Sequence, residues 1–280
     1  MIETRLRGHT AIITGAQHGV GAATAIALAR EGVRIVVTYK RIWLNEPPPF
    51  AITEEYLAAW RRDAGVVVSV IEGEGGEVAA IEADLTSEDA PAMLFAFAEE
   101  RFGPADILVN NAAHWHADSL RSNARVIESG PQTTTVTRET FDAHMAVNAR
   151  TTALLMREFA SRHSLHGLDW GRVVSVSTEG ARCFPGEISY GASKAAMESL
   201  TRSAAVELGP FGVTANVVSL GAVQTGWITP GLEARIKRRN PLGRLGTPED
   251  IADVIIFLVS HQGRWVTGQT IFVGGGSMMV

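Results

Sequence analysis

Thr10-Ala-Ile-Ile-Thr14-Gly15-Ala-Gln17-His18-Gly19-Val20-Gly21 runs directly into the Ala-rich stretch Ala22 to Arg30. A short apolar run, then glycines, then strong helix formers reads as strand, tight turn and helix. Ile35 to Thr38 supplies the next strand and closes a βαβ unit. Glycines in such a turn let backbone approach a pyrophosphate, whose charge meets the free N–H groups and positive end of the helix. A merely structural turn is the plainer alternative, and the correct strand and helix on its two sides favour dinucleotide binding.

Outward from this unit the alternation continues. Glu77 to Ala83, Asp106 to Val109, Val173 to Val176, Val213 to Val218 and Thr267 to Val273 read as further strands, with helical spacing between them. The expected fold class is α/β: one domain over residues 1–280, a doubly wound parallel sheet of about seven strands with helices on both faces. A net charge of −5 argues against nucleic acid or an anionic membrane surface as a main partner. The one cysteine, Cys183, excludes an internal disulfide and suits a reducing compartment. No stretch has the apolar length of a secretory signal or a membrane helix, so a soluble, cytoplasmic protein is expected.

The chemistry-bearing stretch is Arg172 to Leu200. Ser177 ends the strand that holds Val173, Val174 and Val176. Tyr190 and Lys194 follow on a helix at i and i+4, one above the other on one face. A phenol alone titrates near ~10, and a neighbouring ammonium lowers that value toward the working range. Ser177 would then hydrogen-bond a carbonyl oxygen that Tyr190 protonates. By itself Tyr-x-x-x-Lys also describes a surface tyrosine and a solvated lysine.

Thr14-Gly-x-x-x-Gly19-x-Gly21, Asn110-Asn111-Ala112, Asn148, Ser177 and Tyr190-x-x-x-Lys194, in that order, resemble the classical short-chain dehydrogenase/reductase family. The resemblance runs from Leu6 to about Val273 and implies a Rossmann-like fold and hydride transfer between a nicotinamide cofactor and a ketone or secondary alcohol. It implies Asn148, Ser177, Tyr190 and Lys194 as the catalytic set, Asn148 holding a water that links Lys194 to solvent. A satisfied core asparagine is the alternative for Asn148.

For the cofactor it implies Gly15, Gln17, His18, Gly19, Val20 and Gly21 at the phosphates, and Asp84 with Leu85 at the adenine. Asn111, Ala112 and Ala113 form the floor, Tyr190 and Lys194 meet the nicotinamide ribose, and Gly221, Val223 and Thr225 lie near the nicotinamide. Asp84 also reads as a helix cap. After the second strand stand Tyr39, Lys40 and Arg41 with no acid, which favours a 2′-phosphate and hence NADP(H) over NAD(H). Solvated loop cations are the other reading. The chain departs from the family at Ala113, Leu220 and Gly274-Gly275-Gly276, where Gly, Pro and Asp-Gly-Gly are usual.

Two insertions are expected, near 41–54 and 118–134. The first carries Pro47, Pro48 and Pro49 and serves either as a lid over the adenosine end or as a surface or oligomer contact. The second is polar and contains Gly130-Pro131, so loop is expected. Thr137 starts a helix without a full capping box. His114 and His116 lack a third ligand at metal-site spacing, and no metal is expected. Trp115, Phe184 and Trp227 suggest an apolar substrate pocket, with Ile228 and Leu232 lining the segment beyond, and admit a 3-oxoacyl compound or a cyclic ketone. Assembly as a tetramer or dimer follows from the resemblance. On residues alone, a non-catalytic nucleotide sensor and an oligomeric scaffold on the same fold stay open.

Overall fold

The computed structural model describes residues 3–43, 53–121 and 133–277. Its strands are β1 (Thr10–Ile13), β2 (Arg34–Tyr39), β3 (Val78–Glu82), β4 (Ile107–Asn110), β5 (Asp118–Ser119), β6 (Thr134–Thr135), β7 (Gly171–Thr178), β8 (Val213–Leu220) and β9 (Thr270–Val273). Seven of them form a parallel sheet in the order β3-β2-β1-β4-β7-β8-β9. The helices are α1 (Gly19–Arg30), α2 (Glu54–Arg61), α3 (Gly65–Gly73), α4 (Ala90–Phe102), α5 (Arg138–His144), α6 (Thr151–Leu165), α7 (Ile188–Leu208), α8 (Pro230–Arg239) and α9 (Pro248–Val259).

The central strands read as continuous apolar runs because both of their faces are covered. Ala11, Ile13, Ile35 and Val37 pack against Ala25 and Leu28 of α1, Ile71 of α3 and Ile255 of α9. Ile12, Val36, Leu108 and Val173, pointing the other way, meet Phe95 of α4, Phe159 of α6 and Ala205 of α7. Sequential strands run outward from β1 to β3 and then, after β4, outward in the opposite direction. The crevice at the carboxyl ends of β1 and β4 is therefore the topological switch point, where ligands of such sheets bind.

Two local expectations are corrected. Asp118 to Thr134 is not loop throughout: Asp118–Ser119 pairs in parallel with Thr134–Thr135, extended by Thr134 N–H to Ala117 O and Val136 N–H to Ser119 O. Two-residue strands are too short to carry a period in the sequence. Thr137 does form a reciprocal capping box, because the hydroxyl of Thr140 accepts from Thr137 N–H at 3.0 Å as a Glu would. Residues 44–52 and 122–132 of the two insertions lie outside the described residues.

Candidate active site

At the switch point Thr14 ties β1 to β4. Its hydroxyl accepts from Asn111 N–H at 2.9 Å and Ala112 N–H at 3.0 Å. The Asn111 amide donates to the carbonyls of Thr14 and Gly15, both at 2.9 Å. Gly21 has to be glycine here, since a Cβ would stand 2.5 Å from Asn111 Nδ2. Gly15 and Gly19 take φ of +62° and +58°, open to glycine at little cost. His18 precedes α1 without a side-chain cap, and no acid lies in the first turn. The first N–H groups of α1 thus stay open for an anion, and the residues fit a dinucleotide's pyrophosphate. Val20 is a core residue, so only its backbone can serve there. Across the turn, a Cβ on Gly19 would lie 3.0 Å from Thr225 Cγ2, so the loop after β8 closes over the same helix start.

That loop is held from behind. Gly221 N–H donates to Val273 O, Val223 bridges Gly246, and the Ser277 hydroxyl donates to Glu179 at 2.6 Å. A Cβ at Gly274 would stand 1.6 Å from Glu179 Oε1. The carboxylate missing from the Gly274-Gly275-Gly276 stretch is thus replaced in space by Glu179.

The adenosine end differs from expectation. Lys40 Nζ lies 2.6 Å from Asp84, and Arg41 makes a forked contact to Glu82 at 2.6 and 3.0 Å. Tyr39 is in register with Glu82. No acid directly follows β2 in the chain, yet the end of β3 and the residues just beyond it bring two. Asp84 also accepts from Thr86 N–H and Oγ–H, as a cap would. Burial works against its ionisation, but the bonds from Lys40 and Thr86 prevail and hold the carboxyl at about 2. The Leu85 carbonyl accepts from Thr151 of α6.

α7 packs on β7 through one row of side chains. Lys194 Nζ donates to Val176 O at 2.8 Å, Ser177 Oγ–H donates to Glu198 at 2.7 Å, and Thr201 Oγ–H donates to Ser175 Oγ at 2.9 Å. Tyr190 tops the row, its ring centroid 5.9 Å from Lys194 Nζ. Met145–Arg150 widens into a π-helical turn, which places Asn148 fully buried against the segment after β4. Its Oδ1 accepts from His114 N–H at 2.8 Å, and its Nδ2 donates to His114 O and Ser193 Oγ, both at 2.9 Å. Ser193 in turn donates to Tyr190 O. An asparagine in an apolar helix is unfavourable unless its amide is bonded, and here it is fully satisfied.

Electrostatics at Tyr190 run opposite to the expected lowering. Burial raises its pKa above the ordinary phenol value, and the charges of Glu187 and Tyr56 add to that. Lys194 is itself lowered to about 8 by burial, against the raising effect of Glu198, and its ammonium turns to a strand carbonyl.

Around Tyr190, Trp115 Nε1–H donates to the Glu187 carboxylate, and Phe184 lies over Gly180 and Gly191 with its ring 6.2 Å from that of Tyr190. Trp227 is 36% exposed and Ile228 buried, while no residue of α8 is fully buried, so the expected inner face reduces to Ile228. Sequence reasoning missed Glu187, Glu198 and Tyr56. Tyr56 of α2 packs edge-on to His18 at 5.6 Å, and Thr53 Oγ–H donates to Gly226 O, so α2 spans from the glycine turn to the loop after β8. The signal for Glu187 was its place three residues before Tyr190, at the start of the same helix. Among the described residues no group of His, Cys, Asp or Glu is arranged for a metal, and no helix is long and apolar enough to cross a membrane.

Comparison with known proteins agrees with this geometry. The family described as enoyl-(acyl carrier protein) reductase matches residues 56–278. NADPH-dependent aldehyde reductase 2, chloroplastic, of Arabidopsis thaliana is 35% identical over 98% of this chain and 95% of its own. Among solved structures, the angucycline C-6 ketoreductase LanV with bound NADP has a TM-score of 0.79 at 30% identity, covering 98% and 97% of the two chains. A 7α-hydroxysteroid dehydrogenase complexed with NADH and 7-oxo glycochenodeoxycholic acid has 0.80 at 30%, covering 98% and 96%. The chain belongs to the short-chain dehydrogenase/reductase family. It is an NAD(P)-dependent oxidoreductase of small-molecule substrates acting at CH–OH groups.

Proposed function

We propose that the protein is an NADP(H)-dependent carbonyl reductase that converts a cyclic ketone or a 3-oxoacyl compound to the secondary alcohol. The observation that carries this reading is the turn of α7 bearing Tyr190 and Lys194, packed on the end of β7 and tied through Ser193 and Asn148 to the strand beside the open α1 terminus.

When bound, the nicotinamide supplies the hydride. Tyr190 gives its phenolic proton to the carbonyl oxygen; a raised pKa keeps that proton in place at neutral pH and suits the reductive direction. Ser177 exchanges its bond to Glu198 for one to the same oxygen. Lys194, with a pKa of about 8, is poised to return a proton and to hold the nicotinamide ribose. Asn148 keeps the turn and the segment after β4 at fixed separation, with the proton relay passing at its place. Gly15, Gln17, His18, Gly19 and Gly21 receive the phosphates; Asn111, Ala112 and Ala113 form the floor; Gly221, Val223 and Thr225 cover the nicotinamide end.

NADP(H) is favoured because Lys40 and Arg41 are about half exposed and can exchange surface carboxylates for a 2′-phosphate. The name of the Arabidopsis relative and the NADP in LanV support that choice. Assembly as a dimer or tetramer, one domain per chain and a cytoplasmic setting belong to the same proposal. A groove of about 870 Å³ between the α5–α6 segment and α7, lined by Ala143, Met145, Ala149 and Leu200, supports an oligomer contact.

Tyr190→Phe is the test. Ketone turnover should fall by roughly 10²- to 10⁴-fold, with NADPH affinity, read by fluorescence titration, nearly unchanged. Undiminished turnover would refute the assignment.

A further inference from the structure

Glu187 is a carboxylate in a place where the reduction of a plain ketone has no use for one. It stands at the start of α7, one turn before Tyr190, and is partly buried. Its Oε2 accepts the Trp115 indole N–H, which ties the segment after β4 to the start of α7. Phe184 O accepts the Glu187 backbone N–H, and Glu187 O accepts from Gly191, so the side chain is carried on a fixed backbone. Its charge reaches Tyr190.

Nothing positive among the described residues answers that charge. The groups acting on Glu187 are its burial, the Trp115 donor and the further carboxylate of Asp118. Asp118 is fully buried; Oδ1 accepts Ser189 N–H and Oδ2 has no partner among the described residues. The nearby histidines supply no settled charge: burial lowers the His116 pKa, against the raising effect of Asp118. His144 accepts His116 N–H at Nε2 and faces Thr140 O with Nδ1, so it is the neutral Nδ1–H tautomer. His114, stacked edge-on to His144 at 4.8 Å, is held down at about 4 by burial. The Lys194 ammonium is turned to Val176 O on the strand side.

A desolvated carboxylate costs free energy unless a counter-charge meets it. Here the Trp115 indole bonds to it, and the Phe184 ring stands 6.2 Å from that of Tyr190 one turn on; the faces of such rings attract cations. On the reading of the site given above, we propose that Glu187 is a specificity residue and that the substrate is a ketone bearing a protonated amine, held by the Glu187 carboxylate while the carbonyl faces Tyr190.

The test is a matched pair of ketones of one shape, N-methyl-4-piperidone and 4-methylcyclohexanone, reduced with NADPH by wild type, Glu187→Gln and Glu187→Asp. Gln keeps an acceptor for the Trp115 indole, and Asp keeps the charge. A hydrogen-bonded charge pair predicts a kcat/KM preference for the amine of roughly tenfold or more in wild type. That ratio should fall toward one in Glu187→Gln and persist in part in Glu187→Asp. A ratio unchanged between wild type and Glu187→Gln overturns the proposal. A second arm, calorimetric titration of N-methylpiperidine into the protein with NADP⁺ present, reads the cation site without turnover. Binding lost in Glu187→Gln supports it; binding equal in both, or absent from wild type, overturns it. Failure of wild type to reduce either ketone while the amine still binds through Glu187 would sink the carbonyl-reductase reading alone.

Discussion

Lys194 shows how far burial can oppose a local expectation. The i,i+4 spacing brings its ammonium beside Tyr190, yet the chain around it lowers its own pKa to about 8. The sign of the consequence is fixed by linkage. Between about pH 8 and the ordinary lysine value the unfolded chain binds the proton that the folded one has released, so the group's contribution to stability rises with pH. Below that window both states are charged and the full desolvation cost is felt. Urea denaturation of wild type and Lys194→Met, without added cofactor, should therefore show the wild type gaining on the variant as pH goes from 8 to 10. A gap that is flat with pH, or that moves the other way, would mean that the ammonium is better solvated than its position between α7 and β7 allows.

The π-helical turn at Met145–Arg150 is an element whose purpose is visible only with its neighbours in place. An asparagine within an apolar helix signals a satisfied polar group, and that much could be read along the chain. The widened turn could not, because it exists to bring one side chain to the backbone of His114 and the hydroxyl of Ser193 together. Asn148→Ala would leave His114 N–H and O and the Ser193 hydroxyl without these partners. Unsatisfied buried groups cost ~1–3 kcal/mol each before relaxation, so we expect a loss on the order of 2–4 kcal/mol in chemical denaturation. Turnover should fall with it, since Ser193 also holds the Tyr190 carbonyl. An effect below about 1 kcal/mol would mean that water replaces all three contacts.

Cofactor choice belongs to the molecule as a whole, because it turns on which strands are neighbours. Lys40 and Arg41 follow β2, and the acids that hold them, Asp84 and Glu82, arrive from just beyond β3 and from its last residue, 44 and 41 residues on. Exposed pairs of this kind are worth ~0–1 kcal/mol, so they modulate the site without closing it. Glu82→Gln should release Arg41 and raise the NADPH-to-NADH ratio of kcat/KM by a few-fold, ~2–5. A ratio that stays level or falls would show that Glu82 does not compete with the 2′-phosphate.

The strand–glycine–helix start, the alternation that follows it and the row from Tyr190 to Lys194 were all legible along the chain, and the seven-stranded sheet with helices on both faces agrees with them. These features rest on neighbours a few residues apart, where periodicity and propensity act. The Asp118–Ser119 ladder, Glu179 standing in for an acid beside Gly274, the pairing of Lys40 and Arg41, and the negative field of Glu187 at Tyr190 were not legible. Each joins groups that only the packed chain brings together, and Trp115 and Glu187 are 72 residues apart before they meet. Local order was therefore written in the order of the residues. The charge balance of the site waited on folding, because Coulomb energy depends on distance in space and on how much water burial removes.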